Sequence, residues 1–256
     1  MLLVADIGNT NITLGLFDEE ALVEEFRLAS DKDLSSAEYE VLLKSLFRNS
    51  QIDSCIVGSV VEELNEKFCS AVDNIFKIKS ILLNSDSKTG IKIAIEKPSE
   101  AGADRIANAV GAYVLYQKPA IVVDFGTATS FDIINSNGEF IGGVIAPGIS
   151  LQMKVLNQFT SKLPRIDVAI SEKAIGRNTT EAILSGVIRG VACMVSGLIA
   201  QCEEELGEKA IVVATGGYSG LVANYMTREF DFINPTLTLD GLRHLYALNS
   251  KTKITT

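Results

Sequence analysis

The stretch LLVADIGNTNITLGLFD, residues 2–18, drives an apolar run into Asp6, turns through Gly8, Asn9, Thr10 and Asn11, and leaves on a second apolar run. A near copy, AIVVDFGTATSFDII, occupies residues 120–134. A plain hairpin has no need of a carboxylate at the end of its first strand, and the same arrangement occurs twice, half a chain apart. The flanking pattern repeats as well. Strands are predicted over 2–7, 11–17 and 21–28, and again over 120–124, 129–135 and 139–145, the last pair joined by the turn NSNGE. In both copies helices and further strands follow. This is an internal repeat of about half the chain.

Between the copies, Ser35 and Glu38 form a capping box that opens the helix SAEYEVLLKSLFRN. CIVGSV and SILLN read as strands, EELNEKFCSAVDNIF as a helix, and residues 102–117 as another. Pro119 punctuates the chain. Beyond it, helices are predicted at 148–157 and 179–206, a strand at AIVVATGG, a helix from Ser219 and a last helix over 239–249. The expected domains are residues 1–118 and 119–256.

Charge and composition narrow the function. Apolar residues make up 47% and charged residues 21% of the 256, enough for a real core. The net charge is −9 with no basic cluster, which argues against nucleic acid and anionic membranes as partners. A bound anion would have to be met locally, by metal ions, backbone amides or single arginines. No apolar run approaches the roughly 20 residues that cross a bilayer, and no basic segment opens the chain, so a cytoplasmic protein is expected. Cys55, Cys69, Cys193 and Cys202 form no C-x-x-C and fit no zinc spacing; reduced, mostly buried thiols are expected. His244, the one histidine, sits in GLRHLYALN and reads as a helix-surface residue. Acid–base work therefore falls to carboxylates.

The repeated turn suits phosphate. Glycines let backbone amides approach an anion with no Cβ in the way, and Asn9, Thr10, Asn11, Thr127, Thr129 and Ser130 add short donors. Asp6 and Asp124 are placed to hold a hydrated Mg²⁺ or a monovalent cation beside those phosphates. VVATGG, residues 212–217, is a third strand meeting glycines before a helix. A single such turn is commonly structural; two in register with a repeated unit, plus the TGG, read as the actin/sugar-kinase type of nucleotide-binding fold. The expected class is α/β, with duplicated RNase H-like (actin-like ATPase) domains, each a mixed sheet flanked by helices, and a cleft between them. Walker A and Rossmann glycine patterns are absent.

The run GADRIANA, followed by VVDFGTATSFDI, GGVIAPGI, KLPRID, IGRNT and ATGG, resembles type III pantothenate kinase along nearly the whole chain. That resemblance implies transfer of the ATP γ-phosphoryl group to the primary hydroxyl of pantothenate, the first step of coenzyme A biosynthesis. It implies Mg²⁺, a K⁺ or NH₄⁺ ion, and a homodimer with the pantothenate pocket at the subunit interface. Residue by residue, Asp6, Ile7, Gly8, Asn9, Thr10, Asn11, Ile12 and Thr13 match the first phosphate motif, with Asp6 reaching Mg²⁺ through water. Asp124 matches the monovalent-cation ligand and Thr127 a second phosphate contact. Gly102, Ala103, Asp104 and Arg105 match the substrate motif, with Asp104 as general base, and Thr179 matches a pantothenate contact. The family usually has a tyrosine where this chain has Ile95, so a hydroxyl contact to substrate is lost there.

On the residues alone, ADR reads sooner as a helix-start aspartate on the dipole with an exposed arginine than as a catalytic base. Arg105 suits the substrate carboxylate but could pair with Asp104 instead. Arg165 and Arg177 are weaker candidates for substrate contact. Small residues along 179–206, at Ser185, Gly186, Gly190, Ala192 and Gly197, suit close helix packing within the subunit or at a dimer interface. The alternatives are another small-molecule kinase or phosphatase of the same fold, and a nucleotide-binding regulator without catalysis.

Overall fold

Strand β1 (Leu2–Ile7) sends Leu3, Ala5 and Ile7 into one apolar cluster and Val4 into another. That period of two marks a strand covered on both faces. It pairs antiparallel with β2 (Asn11–Asp18), which pairs antiparallel with β3 (Ala21–Ala29). On its other side lie, in parallel, β4 (Ser54–Ser59) and β5 (Ile81–Leu82), giving the order β3-β2-β1-β4-β5. This computed structural model describes residues 1–250, which fall into two compact units. The first is Met1–Leu115 with the described residues from Leu237; the second is Tyr116–Thr236.

In the first unit, α1 (Ser36–Leu46) and α2 (Glu62–Phe76) cover one sheet face through Tyr39, Leu43, Leu64 and Phe68. The capping box is present: the Ser35 hydroxyl accepts from the Glu38 N–H, and the Glu38 carboxylate accepts from the Ser35 N–H at 2.8 Å. A two-residue strand β6 (Lys92–Ile93) and a 3₁₀ turn at Pro98–Glu100, neither legible in the periodicity, precede α3 (Ala103–Tyr116).

The other face is shared by α3 and the last helix, α8 (Leu237–Ser250). Their backbones touch: a Cβ on Gly241 would lie 1.9 Å from the carbonyl oxygen of Ala107. Leu237, Leu242 and Leu245 are fully buried there, each contributing about 1.5–3 kcal/mol of apolar burial. The division of the chain therefore differs from the expected 1–118 and 119–256 in one element. Helix α8 packs on the first unit, because α3 alone would leave the Val4 and Ile56 face of the sheet part-wet. Residues 251–256 of the expected second domain lie outside the described residues.

The second unit repeats the plan. Strands β7 (Ala120–Phe125), β8 (Ala128–Ile134) and β9 (Glu139–Pro147) form an antiparallel meander. Parallel β10 (Ile211–Thr215) and β11 (Phe232–Ile233) extend it on the β7 side. The order β11-β10-β7-β8-β9 matches β5-β4-β1-β2-β3 element for element. Helix α4 (Ile149–Gln158), α5 (Thr179–Leu184), a π turn at Ser185–Arg189, α6 (Gly190–Leu206) and the short α7 (Ser219–Ala223) complete the unit. Phe125, Phe131, Ile188, Val195 and Ile199 lie in its main core.

Two expectations are corrected here. The helical stretch Thr179–Leu206, with a mean hydropathy of 1.9, is long and apolar enough by length and composition to cross a membrane. Half of that apolar window is buried inside the fold, so packing against the β7–β8 face accounts for its character. The thiols are all free, but only Cys55 is buried; Cys69 and Cys202 are half-buried and Cys193 is exposed.

Candidate active site

The turn after Asp6 is held from behind. The Gly8 N–H donates to the Asn11 carbonyl at 3.0 Å, the Ser30 hydroxyl donates to the Gly8 carbonyl, and the Ser30 N–H donates to the Thr10 carbonyl at 3.0 Å. Asn9 and Thr10 are exposed at the tip, while Ile7 and Ile12 are buried and anchor the two strands. Asp6, Asn11 and Thr13 are half-buried. Ile7 and Ile12 thus position the loop rather than meet a ligand with their side chains.

The GADR segment reaches the same end of this sheet. Asp6 and Ile7 register against Gly58 and Ser59 at the end of β4. A Cβ on Gly58 would lie 3.6 Å from Ala103, and one on Gly102 would lie 3.2 Å from Val60. The ends of β1 and β4 and the start of α3 therefore converge, which brings the Asp6 turn and the GADR segment together within one unit. Asp104 stands in the first turn of α3, where the helix dipole favours a carboxylate. Burial nevertheless pushes its carboxyl above the usual range, opposed by the Arg105 N–H at 2.8 Å and the Arg105 charge. A Cβ on Gly102 would run into the Asp104 carboxylate at 2.4 Å, so a larger residue there would displace that side chain. Ile95 is half-buried between β6 and the 3₁₀ turn.

In the second unit, Asp124 registers against Ser130 of β8 and Thr215 of β10. Paired residues share a sheet face, so these three side chains stand together. Thr129 registers with Phe125 on the opposite, core-facing side and is fully buried, so it is not the phosphate donor expected from its spacing. Gly216 has φ +83°, and a Cβ on it would lie 2.5 Å from the Asp124 carboxylate. Gly148 closes the floor: its N–H donates to the Thr127 carbonyl at 3.1 Å, and a Cβ would lie 2.3 Å from that oxygen. Thr127 itself is exposed. The glycine requirement thus comes from close approach in most of these turns and from backbone conformation only at Gly216.

Thr215 was not legible as a site residue. It is fully buried, and its hydroxyl has no hydrogen-bond partner. An orphan hydroxyl beside a carboxylate, with a glycine for a wall, fits a weakly hydrated cation or its bound water. Among the described residues no three His, Cys, Asp or Glu side chains gather into a metal cage. A divalent ion would therefore depend on phosphate and water for most of its ligands, as Mg²⁺ with nucleotides does.

Thr179, Arg165 and Arg177 are exposed, and His244 is half-buried on α8 rather than on the surface. Burial and the neighbouring Arg243 lower the His244 pKa, which leaves it neutral near pH 7.

The comparison with known proteins settles the family. The type III pantothenate kinase family model matches residues 2–201. The chain belongs to the type III pantothenate kinase family. A member from Dehalococcoides mccartyi strain CBDB1 is 42% identical over 253 residues, covering 97% of this chain and 96% of its own. Among solved structures, a conserved Baf family protein from Campylobacter jejuni, described as a candidate transcriptional activator, superposes with a TM-score of 0.63. It shares 23% identity and covers 97% of this chain and 98% of its own. A ROK family glucokinase from Streptomyces griseus, with glucose and AMPPNP bound, gives 0.55 at 13% identity, covering 95% and 98%. At these identities the structures speak to fold alone: two mixed sheets flanked by helices.

Proposed function

We propose that this chain phosphorylates pantothenate at the expense of ATP, giving 4'-phosphopantothenate in the first step of coenzyme A biosynthesis. The observation that carries the reading is Asp104: a desolvated carboxylate with a raised pKa, in the GADR segment, at the sheet end that also holds the Asp6 turn. Asp104 accepts the proton of the substrate's primary hydroxyl as that oxygen bonds to the γ-phosphorus and the bond to the β-phosphate oxygen breaks, releasing ADP. The Asp6–Thr13 and Asp124–Ser130 loops hold the phosphates through backbone N–H groups and short side chains. Gly102, Ala103, Arg105, Ile95 and Thr179 line the pantothenate subsite. Bound Mg²⁺, held by Asp6 through water, supplies neutralisation of phosphate charge. Asp124, with Thr215 beside it, holds K⁺ or NH₄⁺.

The working unit is a cytoplasmic homodimer with the pantothenate pocket at the interface. Exposed apolar side chains on the second unit support an unfilled partner surface: Ile145 at 65%, Phe159 at 80%, Ile170 at 67% and Ile175 at 83% exposed. Gly186, Gly190 and Gly197 also have open space where a Cβ would stand, which lets another backbone come close.

The test is ADP release from Mg·ATP with and without pantothenate, in K⁺ and then in Na⁺ buffer. Pantothenate-dependent turnover in K⁺ that collapses in Na⁺ is expected. Turnover indifferent to pantothenate would make the protein an ATPase or a kinase for another acceptor. Full activity in Na⁺ alone would remove the cation role of Asp124.

A further inference from the structure

The segment leading into Thr179 is fastened to the following helix by three polar side chains spaced four apart, Glu181, Ser185 and Arg189. The Glu181 carboxylate accepts from the Arg177 N–H at 2.8 Å and from the Asn178 side-chain amide at 2.7 Å. The Ser185 hydroxyl donates to the Ala174 carbonyl at 2.6 Å. Arg189 donates through Nε to the Ser171 hydroxyl at 3.2 Å, and through Nη2 to the carbonyls of Ser171 at 2.8 Å and Glu172 at 3.1 Å. The helix ascends while the segment descends, so each rung takes one step of residues 171–178.

Two features show that the helix is shaped around this ladder. An ordinary α-helix turns about 40° too far over each four-residue step, so three such rungs drift off one face. The wider π turn at Ser185–Arg189 absorbs that drift between the last two rungs. Gly176 also lets the segment lie directly on the helix backbone, since a Cβ there would be 2.3 Å from the Ala182 nitrogen.

Arg189 is the heaviest rung. Its guanidinium lies 4.7 Å from the ring centroid of Tyr225, whose hydroxyl accepts from the Ser171 N–H at 2.8 Å. Ser171 is buried at 4% exposure, so its N–H and C=O are both satisfied by this pair. The donors of Arg189 go to a hydroxyl and two backbone carbonyls, so its role is to fix backbone rather than to neutralise an acid. The fixed segment forms one wall of a ≈ 340 Å³ cavity lined by Ser171, Lys173, Arg177 and Glu181 among others.

We propose that Arg189, with Ser185 and Glu181, is a positioning residue for substrate binding: the ladder sets the place of Arg177 and Thr179 and thereby the affinity for the hydroxy-acid substrate. This rests on the reading above, in which Thr179 touches pantothenate. The ladder touches no nucleotide-phosphate residue, so the ATP side of the reaction is independent of it.

The experiment compares Arg189→Met with Thr179→Val in the full-length protein, reading KM for pantothenate and for ATP, pantothenate Kd by calorimetry, and thermal midpoint. Displacing a binding group by about 1 Å costs up to about 100-fold, so Arg189→Met should raise pantothenate KM and Kd by about 10- to 100-fold. KM for ATP should stay close to wild type, while the thermal midpoint falls modestly because the buried Ser171 carbonyl loses its donor. A rise with Thr179→Val but none with Arg189→Met overturns the ladder and leaves the pantothenate reading standing. No rise with either overturns both. A parallel loss of midpoint, ATP affinity and pantothenate affinity in Arg189→Met makes the residue merely structural and overturns the proposal. Where that variant folds poorly, Ser185→Ala removes one neutral hydrogen bond and should raise pantothenate KM by about fivefold; an unchanged KM there also overturns it.

Discussion

Asp104→Asn should lower kcat by about 10²- to 10⁴-fold, the range a positioned general base supplies, with ATP affinity retained. The same change should leave the thermal midpoint at neutral pH unchanged or raised. The sign follows from burial. The folded-state pKa of Asp104 lies above its unfolded value, with desolvation as the largest cause. Stability from such a group is fully present below the unfolded pKa and is lost as pH rises through the folded one. At neutral pH the ionised, partly desolvated carboxylate therefore costs stability, and asparagine removes the charge while its side-chain oxygen can still accept from the Arg105 N–H. The pH profile supplies a second readout. Wild-type kcat/KM should rise with pH through an acid limb set above the ordinary carboxylate range, and the variant should lose that limb. Near-wild-type turnover, or a midpoint that falls by several degrees, would remove Asp104 from the base role.

Gly216→Ala should be the most damaging single-methyl change near Asp124. Two costs act together. A non-glycine residue at φ +83° is strained by about 1–3 kcal/mol. The added Cβ would also lie 2.5 Å from the Asp124 carboxylate and 2.8 Å from the Phe125 backbone, and overpacking of this kind costs about 1–3 kcal/mol more. The expected destabilisation is about 2–6 kcal/mol, read as a lower thermal or urea midpoint. Gly220→Ala is the control. Nothing lies within 4 Å of its Cβ position on α7, and alanine in a helix should be neutral or stabilising by about 0.5–1 kcal/mol. Equal effects from the two substitutions would show that the close approach at Gly216 is relieved at little cost.

The turns were legible because they depend on local rules. A strand ending in Asp, then Gly and small polar residues, needs only near neighbours to specify it, and both copies form as read. Helix α2 runs over Glu62–Phe76, and the Ser35–Glu38 box starts α1, for the same reason: caps and periodicity act within a few residues. Thr215 and the Glu181–Ser185–Arg189 ladder were not legible. The spacing of four is visible in the sequence, but nothing there says that a coil of neutral acceptors lies against that helix face. Thr129 was misjudged because a one-residue shift of register moves a side chain from the site face to the core.

The sequence by itself determined the repeat, the class of the fold and the family, since all of these are written in short-range pattern. Only the tertiary structure decided that α8 completes the first unit, that Asp104 is desolvated, that Thr215 stands beside Asp124, and that a π turn brings Arg189 to Ser171. Each of these depends on which surfaces meet across long separations in the chain. Apolar faces pair because water excludes them together, and no local pattern names the partner.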